Sequence, residues 1–240
     1  MNTDIKNKTA LIWIAQDQSE KKYTYGQLND EVSKFANGLK SLGVKNGDKI
    51  TIYLPRIPEQ FIAMLACLKI GAVHSVVYSG FSSDALKNRI EDAQAKIVIC
   101  ANSYPYGKKV IESKKNVDEA LKENKTVQHV IIVERIKTGI LSEASTDGKR
   151  HETGPVFSWW HDLIAKQSSV CPTEIMESSD PAFILYTSGT TGKPKGIIHG
   201  HGGYMVGIYA TLKFVFDIQP DDIFWSTADA GWITGHSYIL

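Results

Sequence analysis

The densest chemistry in the sequence lies in the run Tyr186-Thr187-Ser188-Gly189-Thr190-Thr191-Gly192-Lys193-Pro194-Lys195-Gly196. Glycine opens backbone conformations closed to other residues and lets a ligand come close to the chain. Successive backbone N–H groups in such a turn make a concavity that binds anions. Thr187, Ser188, Thr190 and Thr191 add hydroxyl donors, and Lys193 and Lys195 add positive charge. Together these groups suit a polyphosphate. The common nucleotide loop requires G-x-x-x-x-G-K-[ST] with a helix behind it. Here the glycines stand at Gly189-x-x-Gly192, and Pro194 follows Lys193 where a hydroxyl should be. The segment therefore reads as a phosphate loop of another type, set against the bland alternative of an ordinary Gly- and Thr-rich turn.

Other candidates carry less. His199 and His201 stand two apart, but a metal site needs three or four ligands and no third is near in sequence, so no metal site is expected. Asp221-Asp222 after Pro220 reads as a turn or cap. Trp159-Trp160-His161 reads as helix packing, and His236 as structural. A Ser/His/Asp constellation needs geometry that spacing does not supply.

The elements that must position the loop follow from periodicity. Thr9–Ala15 reads as a strand, followed by a polar turn over 16–22. Thr24 with Gln27 is a capping-box pattern, and Leu28, Val32, Phe35, Ala36, Leu39 and Leu42 recur behind it at helical spacing. Gly43 stops that helix. A strand through Ile50, Ile52 and Leu54 comes next, then a helix opened by Pro58 and ending near Gly71. Ala72–Tyr78 reads as a buried strand, Ser82–Ala93 as a helix and Ile97–Cys100 as a strand. Further on, 117–122 looks helical, 129–133 like a strand, 137–153 like a polar loop and 158–165 like a short helix. Ala182–Tyr186 is an apolar strand running straight into the glycine-rich loop. Such alternation predicts an α/β fold, mainly parallel sheets flanked by helices.

Composition fits that class. Of the 240 residues, 42% are hydrophobic and 22% charged, which excludes disordered and fibrous chains. Lys+Arg is 27 against Asp+Glu 26, so charge gives no reason to expect nucleic acid or an anionic membrane as partner. The N-terminus is polar and lacks the apolar core of a signal peptide. The most apolar stretch, 61–77, is interrupted by Lys69, Gly71 and His74 and does not read as a membrane span. Three scattered cysteines, Cys67, Cys100 and Cys171, argue against a disulfide framework and fit a reducing cytoplasm.

The loop Tyr186–Gly196 resembles the signature loop of the adenylate-forming enzymes, the group of acyl-CoA synthetases, luciferases and peptide-synthetase adenylation domains. Two further stretches are similar to the AMP-forming acetyl-CoA and propionyl-CoA synthetases. One is Thr227–Tyr238, which looks like their acyl-pocket segment; the other is Cys67–Phe81, joined by Lys114–Asp118. The resemblance runs from about Thr9 to Leu240.

It implies ATP-dependent activation of acetate, or another short carboxylate such as propionate, to an acyl-adenylate and then to acyl-CoA, with AMP and pyrophosphate released. ATP, Mg2+ and CoA would be its substrates or cofactors. Residue by residue, it implies that Thr187, Ser188, Gly189, Thr190, Thr191, Gly192, Lys193 and Lys195 hold the ATP phosphates. Trp232, Ile233 and Thr234 would form the acyl pocket, Thr234 lying also near the CoA pantetheine. Gly80, Tyr106, Lys108 and Lys109 would meet CoA, although Tyr106-Gly107-Lys108-Lys109 replaces an Arg-Ala-Gly-Arg stretch and Lys109 lacks the arginine fork.

The family completes its site with segments absent here: a stretch at adenine, an aspartate on ribose, a hinge and a small C-terminal domain with a catalytic lysine. The resemblance thus implies that 1–240 is an incomplete N-terminal AMP-binding domain. On that reading the chain breaks off in the apolar run His236–Leu240, as a helix begins after Gly231, and is inactive as a ligase alone. The alternative is a non-catalytic nucleotide-binding remnant, or one half of a split enzyme with a second polypeptide carrying the missing part.

Overall fold

The computed structural model of the chain describes residues 3–137, 154–187 and 194–238. Its strands are β1 (Thr9–Ile14), β2 (Glu20–Thr24), β3 (Lys49–Tyr53), β4 (Val73–Val76), β5 (Ile97–Ala101), β6 (Tyr104–Tyr106), β7 (Lys109–Ile111), β8 (His129–Val133), β9 (Val156–Trp159), β10 (Pro181–Thr187) and β11 (Lys195–Gly200). Its α-helices are α1 (Thr3–Lys6), α2 (Tyr25–Ser41), α3 (Pro58–Lys69), α4 (Ser83–Ala93), α5 (Ser113–Leu121), α6 (Trp160–Ala165), α7 (His201–Ala210) and α8 (Ile233–Ser237), and a π-helical turn, Thr211–Val215, extends α7.

The central sheet has seven strands in the order β11-β10-β4-β3-β5-β8-β9. Every pair is parallel except β10 with β11. Its middle strands are buried on both faces, which is why they read as unbroken apolar runs rather than alternating ones. Alternation still divides them between two cores. Ile97 and Ile99 face Phe35, Leu39 and Ile62 from α2 and α3. Val98 and Cys100 face Leu86 and Ile90 from α4 and Val117 from α5. Cys67, Cys100 and Cys171 are all free and buried.

Local signals set the helix ends. Thr24 Oγ1 accepts from the Gln27 backbone N–H at 3.2 Å, while the Thr24 N–H donates to Gln27 Oε1 at 2.9 Å, closing the capping box of α2. Gly43 takes a φ of 82° just past its end, a conformation open to glycine. Pro58 stands at the first turn of α3, and the Ser82 hydroxyl caps α4. Removing the α2 cap with Thr24→Ala is expected to cost about 1 kcal/mol, read as a fall of about 2–4 °C in the thermal midpoint.

Two expectations need correction. The polar turn at 16–22 ends early, because Glu20–Thr24 is a strand paired antiparallel with β1. Its mostly exposed edge is rich in charge, which hid the strand pattern. The short helix expected from Ser158 begins instead at Trp160, since Val156–Trp159 adds a parallel strand beside β8. Trp160 then stacks on Phe35, ring centroids 3.7 Å apart, in keeping with a packing role. The β6–β7 hairpin and the β11–α7 unit were not anticipated. The loop reading of 137–153 falls, from residue 138 on, outside the described residues. Among the described residues no helix is long and apolar enough to cross a membrane.

Candidate functional site

Chain order and strand order disagree at β3. The chain goes from β3 to β4 on one side and then to β5 on the other. In open parallel sheets such a reversal leaves a crevice outside the carboxyl ends of the strands. The candidate residues lie on the segments that leave β4, β5 and β10 at that end: Gly80 after β4, Tyr106–Lys109 after β5 and the glycine-rich loop after β10.

The loop joins β10 to β11. Thr187 pairs with Lys195 in antiparallel register, so two predicted phosphate contacts face each other across its base. A strand follows the loop, where the common nucleotide loop would run into a helix. Ser188, Gly189, Thr190, Thr191, Gly192 and Lys193 lie outside the described residues. Just before the loop, the Tyr186 hydroxyl donates to Asp92 Oδ2 at 2.7 Å. Burial, with Asp92 beside it, pushes that phenol well above its ordinary range. The Arg89 guanidinium lies over Phe81 at 4.6 Å and over Tyr186 at 5.5 Å, tying the end of β10 to the turn after β4 through α4.

Trp232 caps α8 from outside, half exposed, with its ring tilted against Tyr78 at 5.3 Å and Phe81 at 6.1 Å. Ile233 lines a cleft of about 720 Å³ bounded also by His199, Gly200, Tyr204 and Tyr238. Thr234 is exposed on the next position of α8. A Cβ added at Gly80 would lie 2.8 Å from Tyr78 Cζ, so the Tyr78 ring would have to shift to admit it. Tyr106 lines the same small cleft as Tyr78, and as its neighbour it raises the Tyr78 phenol above the ordinary range. Lys108 and Lys109 are exposed at the turn of the β6–β7 hairpin beyond it. Tyr78 is therefore the hub that joins the predicted acyl-pocket and CoA residues, and sequence reasoning did not single it out.

Two more residues were missed. Arg56, just after β3, donates from Nη1 to the Thr227 carbonyl at 2.9 Å and sits 3.6 Å from Asp229 Oδ2. Asp229 is buried, and burial raises its carboxyl above the ordinary range even though the Gly231 N–H and Arg56 pull it down. Together they anchor the segment that carries Trp232. Arg56, Tyr78, Tyr104, Tyr106 and Asp229 line a second cleft of about 170 Å³. Arg56 and Tyr78 share one signal, a position directly after the carboxyl end of a strand.

His199 and His236 are packed side chains. His199 stacks on Phe183 at 4.5 Å. His236 is fully buried and lies against His74, Nε2 to Nε2 at 2.8 Å. Among the described residues no group of three or more His, Cys, Asp or Glu could hold a metal ion.

The sequence profile described as AMP-binding enzyme matches residues 3–240. The chain belongs to the AMP-binding enzyme family. It is 49% identical over 237 residues to an acetyl-coenzyme A synthetase of Yersinia pestis (strain Pestoides F), covering 98% of this chain and 35% of that relative. Identity to the protein of the same description from Pasteurella multocida (strain Pm70) is also 49%, over 98% of this chain and 35% of the relative. Among solved structures, the chain superposes on the acetoacetyl-CoA synthetase from Streptomyces lividans with a TM-score of 0.84 at 26% identity, over 96% of this chain and 34% of the other. The chain thus spans about a third of the length of the relatives it matches.

Proposed function

We propose that this chain supplies the phosphate loop and one wall of the acyl pocket of an acetate–CoA ligase that forms AMP. The observation that carries the reading is convergence. The loop base at Thr187 and Lys195, the Trp232 turn and the Gly80 and Tyr106 segments belong to one end of one sheet, joined through Tyr78, Phe81 and Arg89. The activity belongs to proteins about three times as long, of which 1–240 would be an incomplete N-terminal AMP-binding domain.

The chemistry explains the parts. A carboxylate is a poor acyl donor because its leaving group would be oxide. In the first step a carboxylate oxygen bonds to the α-phosphorus of ATP as the bond to the β-phosphate bridge breaks and pyrophosphate leaves. In the second, the CoA sulfur bonds to the acyl carbon, the carbon–oxygen bond to AMP breaks, and the thiol proton departs. Charge moves onto phosphate oxygens in the first step, so fixed donors there stabilise the transition state. The Thr187 hydroxyl and the Lys195 ammonium are such donors. Mg2+ would enter with ATP, and a hydroxyl such as that of Thr187 is the hard oxygen ligand it takes. Trp232 and Ile233 would bound a short acyl group, acetate or propionate. Thr234, Gly80, Tyr106, Lys108 and Lys109 would border CoA.

Titration of the purified chain with Mg·ATP in a calorimeter tests the reading. Lys195→Ala is expected to weaken binding about 10- to 100-fold, the size of one lost charge-assisted hydrogen bond. ATP affinity unchanged in both Lys195→Ala and Thr187→Val would remove the phosphate assignment.

A further inference from the structure

His74 lies in the middle of the sheet on β4 and His236 on α8, and both are fully buried. Their Nε2 atoms are 2.8 Å apart, so one nitrogen carries the hydrogen and the other is bare. The chain of bonds continues. His236 Nδ1 is 2.7 Å from the Tyr204 hydroxyl, and that hydroxyl donates to Ser237 Oγ at 3.1 Å. With its hydrogen spent on Ser237, the Tyr204 oxygen accepts from His236 Nδ1–H. His236 Nε2 is then bare and accepts from His74 Nε2–H. His74 Nδ1 is left as a buried acceptor without a hydrogen-bond partner. Phe183 floors the arrangement, with His236 stacked at 3.9 Å and His74 at 5.6 Å.

This polarised chain joins three elements, β4, α7 and α8. Helix α8 has five residues and no side-chain cap, so little in its own sequence fixes its roll. We propose that His74 is a positioning residue, which through its Nε2–H to His236 sets the orientation of α8 and hence where Trp232, Ile233 and Thr234 point. The proposal rests on the acyl-pocket reading for its functional meaning, but its geometry is tested without it.

The chain has five tryptophans, and 5-fluorotryptophan labelling gives each a fluorine resonance, with Trp232 assigned through Trp232→Phe. His74→Phe keeps the ring and its stacking but removes the N–H. It is expected to shift or broaden the Trp232 resonance and leave Trp13, Trp159 and Trp160 in place. His74→Gln, which returns an amide N–H at the Nε2 position, is expected to restore the Trp232 line. A merely structural role would move all the lines or none, and either a static Trp232 line in folded His74→Phe or no rescue by Gln overturns the proposal. Should the Phe variant not fold, nitrogen spectra of the native imidazoles decide. Hydrogen on His74 Nε2 and His236 Nδ1 supports the assignment, and hydrogen on His236 Nε2 overturns it. Acetate added to the native chain separates the two readings. If it leaves Trp232 unmoved while His74→Phe moves it, the acyl pocket fails and the positioning role stands.

Discussion

Gly235→Ala is expected to unseat α8 and lower stability by about 3 kcal/mol, a fall of roughly 6–12 °C in the thermal midpoint. In an ordinary helix the change would help, because alanine favours the helix by about 1 kcal/mol over glycine. Here the added Cβ would fall on the carbonyl of Asp229 and 2.9 Å from the Ala228 carbonyl carbon. Those are backbone atoms with little room to retreat. Asp229 is held by Arg56 and by the Gly231 N–H, and Arg56 also holds Thr227. The helix must yield instead, and His236 sits one residue along with both ring nitrogens engaged. Gly207→Ala in α7 is the matched control, since a Cβ there meets nothing within 4 Å. Scanning calorimetry of the two variants should move in opposite directions, and a Gly235→Ala chain as stable as the parent would contradict the packing of α8.

Acid is expected to weaken the fold steeply below about pH 6. Burial holds both His74 and His236 well below the ordinary histidine value of 6.5; His201 further disfavours charge on His74, as His74 and His199 do on His236. Above that value both are neutral folded or unfolded, and neither makes stability depend on pH. Below it the unfolded chain takes up protons that the folded chain refuses, so stability falls with pH. The slope approaches about 1.4 kcal/mol per pH unit for each ring. Two rings can therefore remove several kcal/mol by pH 4.5, a large share of a typical domain's 5–15 kcal/mol. The neighbours do not offset this. His199 and His201 are also shifted down by burial, and Asp180 raises only His201. Denaturant unfolding followed from pH 7.5 to 4.5 checks it. His74→Phe should flatten the slope, and a parent chain whose unfolding midpoint does not move would show that the rings are protonated in the fold.

Local signals were legible in the sequence because they are made within a few residues. Thr24 with Gln27, Pro58 and Ser82 each mark a helix start, and Tyr186–Gly196 announces phosphate chemistry without any partner. Tyr78, Arg56 and Asp229 were not legible, because strand order creates their roles. Arg56 meets Thr227 across 171 positions and His74 meets His236 across 162. No periodicity reports such contacts. Strands β2 and β9 escaped for another reason. Each is short and incompletely buried, so neither shows the apolar run of a central strand.

The buried thiols have a practical meaning for all of these measurements. Cys67 sits in one core and Cys100 in the other, and burial pushes both thiols up, so that neither reacts while its layer is closed. A thiol reagent is therefore a clock for opening events. Adduct mass after digestion tells which face of the sheet opened first, with no label to engineer and no tryptophan to replace.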